Sequence, residues 1–258
     1  MTAIGRRAAR LEHRLTRPNA SLAELETAVA LAVQHDCAAL TVNPWLVKAA
    51  RRALGRSRLR LGTMIGSPAG TQILAVKAFE ASKALEQGAN QIDFVLNGGA
   101  LLSEEDDIVF NDMLAVIDMA HSALALAGVV VEAEPMSADQ VSRACRIAER
   151  AGADYVITSA GELAARRAVA RATLLRDSVG PRVQVKASGR FRTLSDVRAA
   201  VTAGASRVSA EFSAELLAAA SESLSPVPEP VADAVPDQVP ASISPSSHRP
   251  RAIASRAS

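Results

Sequence analysis

The sequence has few aromatic residues, few cysteines and almost no net charge, and each shortage narrows what the chain can do. Only 3% of its 258 residues are aromatic while 49% are hydrophobic, so any core is aliphatic. The two cysteines, Cys37 and Cys145, stand apart in apolar surroundings, which favours reduced thiols over a disulfide. A formal net charge of +2 gives no electrostatic case for nucleic acid or an anionic membrane as a partner.

Long apolar segments and nucleotide-binding motifs are also missing. The longest apolar run, ALALAGVVV, is too short to span a bilayer. The N-terminal stretch MTAIGRRAARLEHR lacks the apolar core of a secretory signal, so we expect a cytoplasmic protein. No glycine-rich phosphate fingerprint follows the first candidate strand, which disfavours an open, doubly wound sheet.

The composition changes near residue 220, where a segment rich in proline, serine and alanine begins. Seven of the twelve prolines lie in the last 38 residues, and this segment buries too little apolar surface to offset the entropy of ordering it. We therefore predict a folded domain over 1–218 and a disordered tail over 219–258. The basic end of the tail, HRPRAIASRAS, is interpreted as solvated rather than as a docking tag.

Before the tail, short apolar runs alternate with amphipathic stretches. The candidate strands are RLEHRLT, AALTVN, LRLGTMIG, QIDFVLN, GVVVEAE, DYVITSA, RVQVKAS and SRVSAEF. The stretches between them carry apolar residues at three- and four-residue spacing, and several end at glycine, as helices do. Eight such units predict an α/β fold, the (β/α)8 or TIM barrel, and the recurrent "GA" before a strand is consistent with a repeated helix-to-strand corner.

Alternation along the predicted strands separates a face toward the helices from a face toward the barrel lumen. On this basis Lys186, Asp93 and Asn97 point inward, and so do Arg207, Ser209 and Glu211. A buried amine and carboxylate are costly unless they are paired or functional. The residues leave two alternatives open: an internal salt bridge that fills the lumen, or a carbonyl-handling site at the C-terminal ends of the strands.

Several long phrases resemble the deoxyribose-phosphate aldolase family: TVNPWLVKAA, TMIGSPAGTQILAVKAFEASKALEQGANQIDFVLNGGAL, AGADYVITSAG and VQVKASGRFRTLSDVRAAVTAGASRVS. The resemblance covers about residues 11–215. It implies a (β/α)8 class I aldolase that cleaves 2-deoxyribose 5-phosphate to acetaldehyde and glyceraldehyde 3-phosphate through a lysine Schiff base. It also implies a small homo-oligomer, and neither a cofactor nor a metal.

The resemblance assigns catalytic roles to particular residues, but no lysine stands at the position of the nucleophile. It implies that Asp93 shuttles protons and that Lys186 is the second lysine, which keeps the nucleophilic amine neutral. The nucleophile's own position falls on Ile157, which cannot form an imine. A further lysine of the family, on the fifth strand, falls near Gly128.

The resemblance also implies a substrate- and phosphate-binding set at the barrel mouth. Its positions fall on Ser159, Gly161, Ser188, Gly189, Arg190 and Glu211. Glycine-rich turns hold phosphate through backbone N–H groups, whereas Glu211 and Glu162 repel it. Arg190 and Arg192 offset this repulsion by binding an anion or by pairing with the glutamates, and pairing is the preferred alternative.

Three functional interpretations remain open. The preferred one is an aldolase-like protein whose catalysis is lost or much reduced, and which still binds a small sugar phosphate or a related carbonyl ligand. The second is an active aldolase in which Lys186 is the nucleophile. The third is a changed lyase for a non-phosphorylated carbonyl substrate, or one assisted by a metal held by lumenal carboxylates. The carboxylates concerned, Glu12, Asp93, Glu132 and Glu134, have no recognised metal-binding spacing, so we predict no metal site.

Overall fold

The computed structural model describes residues 8–131, 136–161 and 163–223. Eight parallel strands form a closed barrel in sequence order, with β8 pairing with β1, and this confirms the predicted (β/α)8 fold. The strands are β1 Ala8–Leu15, β2 Cys37–Val42, β3 Arg60–Ile65, β4 Gln91–Val95, β5 Leu126–Val130, β6 Tyr155–Ile157, β7 Gln184–Ser188 and β8 Arg207–Ala210.

Helices alternate with the strands and surround the barrel. They are α1 Leu22–Gln34, α2 Val47–Leu54, α3 Leu74–Glu86, α4 Gly98–Leu102, α5 Asp106–Ser122, α6 Ala138–Arg150, α7 Ala165–Ser178, α8 Leu194–Thr202 and α9 Ala214–Ser223. A 3-10 turn, Pro44–Leu46, precedes α2. Complete capping boxes at Ser21, Ser137 and Thr193 start α1, α6 and α8, because each side chain accepts a backbone N–H that the helix leaves unpaired.

The recurrent "GA" phrase marks the same turn three times. Gly88, Gly152 and Gly204 have φ values of 102°, 90° and 95°, which glycine adopts without strain. Each following alanine donates its N–H to a carbonyl five residues earlier, as in a Schellman motif. The chain therefore leaves α3, α6 and α8 by one turn geometry and enters β4, β6 and β8 in register.

Two apolar layers lie on opposite faces of the strands. The larger layer joins strands to helices and contains Val185, Phe94 and Val208, which the alternation placed outward. The smaller layer lies in the lumen and contains Ile157 and Val130 among others. The predicted sorting of the strand faces is thus confirmed for residues within β4, β7 and β8. It is wrong for Glu211, which lies just beyond the end of β8 and is exposed.

The ends of β4 and α9 differ from what the sequence predicted. We expected Asn97 to point into the lumen, which is wrong: β4 ends at Val95, and the Asn97 side chain accepts a hydrogen bond from the Ala100 N–H at the start of α4. The predicted domain boundary at residue 218 falls inside α9, which continues to Ser223. The rest of the predicted tail, 224–258, lies outside the described residues. Among the described helices, none combines the length and apolar character needed to cross a membrane.

Candidate active site

Lys186 lies in the middle of the lumen, on β7, and its side chain is almost completely buried. Its Nζ is 2.7 Å from Oδ2 of Asp93 and 2.9 Å from Oε2 of Glu12. The same nitrogen lies 5.2 Å from the centroid of the Tyr155 ring, a distance at which a cation is attracted to an aromatic face. The predicted salt bridge between Lys186 and Asp93 is therefore present, and Glu12 is a second partner.

Glu12 accepts hydrogen bonds from several lumenal side chains. Its Oε1 accepts from Thr41 Oγ1 at 2.9 Å and from Ser209 Oγ at 3.0 Å, and its Oε2 accepts from Gln91 Nε2 at 3.0 Å. Arg207 donates to Gln91 Oε1 at 2.8 Å and lies 3.4 Å from Glu12 Oε2. We name the whole set the lumenal charge cluster: Glu12, Thr41, Gln91, Asp93, Lys186, Arg207 and Ser209.

The two carboxylates of this cluster differ in acidity because burial and the neighbouring charges balance differently at each. Burial by itself raises the pKa of Glu12, but attraction to Lys186 and Arg207 and the bond from Gln91 outweigh it, so that the pKa falls to about 2. Burial also raises the pKa of Asp93; Lys186 offsets this only in part, the charge of Glu12 adds to it, and the pKa reaches about 6. Although Asp93 is nearer to Lys186, its Oδ1 accepts no hydrogen bond.

Ile157 lies beside Asp93 and belongs to a cluster of buried apolar side chains. We name its surroundings the lumenal apolar cluster: Met64, Val95, Leu126, Val130, Tyr155, Ile157 and Ala160. A Cβ added to Gly128 would lie 2.8 Å from Ile157 Cδ1 and 2.7 Å from Asp93 Oδ1. The side chains of Ile157 and Asp93 thus occupy the space next to Gly128, so a longer residue at 128 requires both to move.

Arg14 crosses the mouth above the charge cluster. It is buried at the C-terminal end of β1, and its guanidinium donates to Ser188 Oγ at 2.5 Å and to the Gly161 carbonyl at 3.3 Å. Ser159 lies close by, since its Oγ accepts from the Gly161 N–H at 3.0 Å. Three of the predicted phosphate-binding residues are therefore linked to one another around a cation that the sequence reasoning did not assign to them.

The other three predicted residues line a separate cavity of about 410 Å³ beside the mouth. Its wall contains Gly189, Arg190, Phe191, Arg192, Ala210, Glu211, Ser213 and Leu216. The N–H groups of Gly189 and Arg190 donate to the carbonyls of Ser209 and Leu163, so they are not available to an anion in this conformation. An anion in this cavity would therefore depend on the two arginine side chains.

Glu211 has a different partner from the one we expected. It pairs with Arg17, whose Nε lies 2.9 Å from Glu211 Oε2, rather than with Arg190 or Arg192. Arg17 also contacts Glu24 Oε1 at 2.7 Å, so it links the β1–α1 loop, the β8–α9 loop and α1. The preferred pairing of Glu211 with the mouth arginines is wrong because Arg17 approaches it from the neighbouring strand.

The lumenal network contains residues that sequence reasoning left without a role. Arg14 has no role in the sequence-based prediction, although its spacing of two from Glu12 places both on one strand face. Gln91 was not considered, since an amide at the start of a strand carries no signal of its own. Glu132, Glu134 and Glu162 lie outside the described residues. Within the part of the chain that is described, no three His, Cys, Asp or Glu residues cluster as metal ligands.

The fold and the site together define a (β/α)8 barrel with a lysine and two carboxylates at the centre of its lumen and an arginine-lined cavity at the C-terminal ends of its strands. Residues 6–189 match the model of the DeoC/LacD family aldolases. The chain belongs to this aldolase family, as the resemblance in the sequence predicted.

Individual relatives agree with this assignment. The deoxyribose-phosphate aldolase of Streptococcus suis is 40% identical over 78% of this chain and 90% of its own length, and that of Lysinibacillus sphaericus is 39% identical over 78% and 89%. Among solved structures, a putative deoxyribose-phosphate aldolase from Coccidioides immitis superposes with a TM-score of 0.74, at 29% identity over 81% of this chain and 83% of that one. The enzyme from Aeropyrum pernix, described as having a unique tetrameric structure, gives 0.73 at 27% identity over 84% and 91%.

Proposed function

We propose that this chain binds a small sugar phosphate, or a related carbonyl compound, at the barrel mouth, and that Schiff-base cleavage of it is lost or much reduced. The proposal rests on the two residues at the centre of the site, Ile157 and Lys186. Ile157 has no amine and is fully buried among apolar side chains. Lys186, the amine that remains, is engaged by Asp93 and Glu12 at once.

Lys186 is a poor substitute nucleophile for a geometric reason. An imine forms only when a neutral amine reaches the carbonyl carbon, and an ammonium held in two ion pairs has no lone pair to offer. Lys186 would have to leave both carboxylates, and Asp93 would then be buried without its ion-pair partner. The alternative of an active aldolase built on Lys186 is therefore the second candidate.

The ligand class rests on the relatives and on the cavity. The named relatives are deoxyribose-phosphate aldolases, and the cavity beside the mouth is lined by Arg190 and Arg192. Guanidinium groups suit a phosphate because they donate two parallel hydrogen bonds. Ser188, Gly161 and Ser159 would contact the carbon chain or a second polar group of the ligand near Arg14.

Borohydride trapping tests the proposal directly. The protein is incubated with 2-deoxyribose 5-phosphate, reduced, digested and examined by mass spectrometry, while acetaldehyde release is followed in parallel. We expect ligand-induced shifts in NMR spectra but neither an adduct nor acetaldehyde. A reduced adduct on Lys186 would support the active aldolase instead, and unchanged NMR spectra would contradict binding of this ligand.

Two variants at one position sharpen the test. Ile157→Lys introduces an amine next to the unpartnered Oδ1 of Asp93, and we expect it to form a trappable adduct. Ile157→Met, which has a similar length and no amine, is the matched control and should form none. If the lysine variant folds and stays inert, the altered phosphate-binding residues become the main obstacle to catalysis.

We also propose that the chain forms a small homo-oligomer in the cytoplasm. The described tetramer of the Aeropyrum pernix relative supports the first part. Light scattering of the purified protein would measure its mass, and a monomer at all concentrations would contradict the proposal.

A further inference from the structure

Cationic and acidic residues are distributed unevenly along the chain, away from the site. Residues 48–60 contain six cationic residues and no acidic one: Lys48, Arg51, Arg52, Arg56, Arg58 and Arg60. Residues 208–247 contain no lysine or arginine and six acidic residues: Glu211, Glu215, Glu222, Glu229, Asp233 and Asp237. The near-zero net charge of the whole chain hides these two opposed segments.

The cationic residues form an exposed surface on α2 and on the turn that follows it. Arg51 already makes a hydrogen bond within the fold, since its Nε donates to the Gly88 carbonyl at 2.9 Å. The remaining exposed members, which we name the cationic face, are Lys48, Arg52, Arg56 and Arg58. No carboxylate within residues 8–131, 136–161 and 163–223 forms an ion pair with any of these four. The cationic face thus has charge available for a partner.

The acidic residues beyond α9 follow a regular pattern. In the stretch VPEPVADAVPDQV, residues 227–239, valine recurs every four residues, and an acidic residue stands midway between successive valines. All of these positions are odd-numbered, so an extended chain places them on one face. Four residues of extended chain span about 13 Å. Lys48 and Arg52 lie about one helical turn apart on α2, and Arg56 follows Gly55, where the helix has ended.

α9 ends at the same end of the barrel as α2, so residues 227–239 start within reach of the cationic face. Because β8 ends at the mouth, α9 runs back along the barrel and ends at Ser223 near the opposite end, where α2 also ends. α1 packs on α2, and α9 packs on β1, the strand that precedes α1; packed neighbouring helices are about 8–10 Å apart. The six residues from Ser223 to Glu229 span up to about 20 Å when extended, which matches two helix spacings.

We propose that residues 227–239 dock on the cationic face of their own molecule. Glu229, Asp233 and Asp237 pair with the exposed guanidinium and ammonium groups, and the valines pack on the aliphatic stems of those side chains. The prolines at 228, 230 and 236 disfavour a helix in this sequence. Exposed ion pairs are individually weak and are screened by salt, so the docking is reversible and depends on ionic strength.

Hydrogen exchange of the full-length protein tests this docking. The variant Glu229→Gln/Asp233→Asn/Asp237→Asn removes three negative charges from the repeat. The matched control, Ser244→Lys/Ser246→Lys/Ser247→Lys, changes the net charge by the same amount outside the repeat. We expect amides of 47–58 to exchange about fivefold faster in the first variant and at the wild-type rate in the second. About 0.5 M NaCl should remove the difference.

Two results would overturn the proposal. Equal exchange of 47–58 in the wild type and in the neutralised repeat would show that the segment does not cover this face. Protection that increases with protein concentration would show that the segment docks on a second copy instead. In contrast, recovery of protection when Asp233→Arg is combined with Arg56→Asp would support direct pairing. Neither variant alters a residue of the barrel core, so loss of folding does not complicate the comparison.

Discussion

The lumenal charge cluster and the lumenal apolar cluster share one barrel interior, and they differ in the interactions that hold their side chains in place. In the charge cluster Glu12 accepts three hydrogen bonds from neutral donors and a contact from each of two cations. The apolar cluster is held together by packing of apolar side chains and contains Ile157, at the position that the resemblance assigns to the nucleophile. Asp93 stands between them, with Oδ2 in one cluster and Oδ1 beside the other.

The difference shows that retaining charged residues is not the same as retaining a reactive site. Every cation of the charge cluster is paired with a carboxylate or an amide of the same cluster. The charges therefore stabilise one another without a ligand. The one imperfect contact is Asp93 Oδ1, on the side where Ile157 replaces an amine. The predictions below test how far each cluster depends on the other.

The largest effect is expected from removing the central cation. Lys186→Met leaves Glu12 and Asp93 buried without their shared partner, which costs about 3–5 kcal/mol of unfolding free energy. Urea denaturation measures this loss. A combined Lys186→Met/Asp93→Leu variant should recover part of it, because the carboxylate with no other donor is then gone. A loss below about 1 kcal/mol for Lys186→Met would mean that the charge cluster is not a structural unit.

The next effect is a pH dependence of stability that comes from Asp93. Because its folded-state pKa of about 6 lies above the ordinary value of 3.8, the folded protein holds this proton more tightly than the unfolded chain does. The stabilising contribution is present at low pH and is lost as the pH rises from about 4 to about 6, by roughly 2–3 kcal/mol. Glu12 acts in the opposite sense below pH 4.5, since its pKa is lowered to about 2.

Asp93→Asn is the variant that isolates this contribution. Its unfolding free energy should lack the decline between pH 4 and pH 6 that the wild type shows, while the loss of stability in stronger acid persists. Denaturation curves collected from strong acid to above pH 6 measure both the decline between pH 4 and pH 6 and the loss of stability in stronger acid. Identical pH profiles for the two proteins would contradict the raised pKa of Asp93.

Sequence reasoning recovered the barrel well because its signals are local and repeated. Alternation along RVQVKAS and QIDFVLN depends only on the period of a strand, and it placed Lys186 and Asp93 in the lumen correctly. The "GA" corners likewise depend on the conformational freedom of single glycines. Partners of charged side chains were harder to predict, since Glu12 contacts residues on four other strands and Glu211 meets Arg17 across the β8–β1 seam. Such choices depend on three-dimensional distances that no local pattern contains.

A smaller effect is expected at the contact between the two clusters. Gly128→Ala places a Cβ within 2.8 Å of Ile157 Cδ1 and 2.7 Å of Asp93 Oδ1, so one or both side chains must shift. We expect a loss of about 1–2 kcal/mol, which is typical of modest overpacking. In an Ile157→Val background, which removes Cδ1, the same change should cost less. A double-mutant cycle of unfolding free energies measures the coupling, and strict additivity would show that the two positions do not compete for space.

The smallest effect is expected at the surface link between Arg17 and Glu211. Both side chains are substantially exposed, so Arg17→Gln should leave stability unchanged within error. The charge of Glu211 would then face the arginine-lined cavity without compensation, and affinity for inorganic phosphate should fall by about two- to fivefold at low salt. Titration calorimetry measures this change, and a second substitution, Glu211→Gln, should restore the affinity. If Arg17→Gln binds phosphate as well as the wild type does, then Glu211 does not influence the cavity, and its repulsion is not what separates this mouth from a phosphate-binding one.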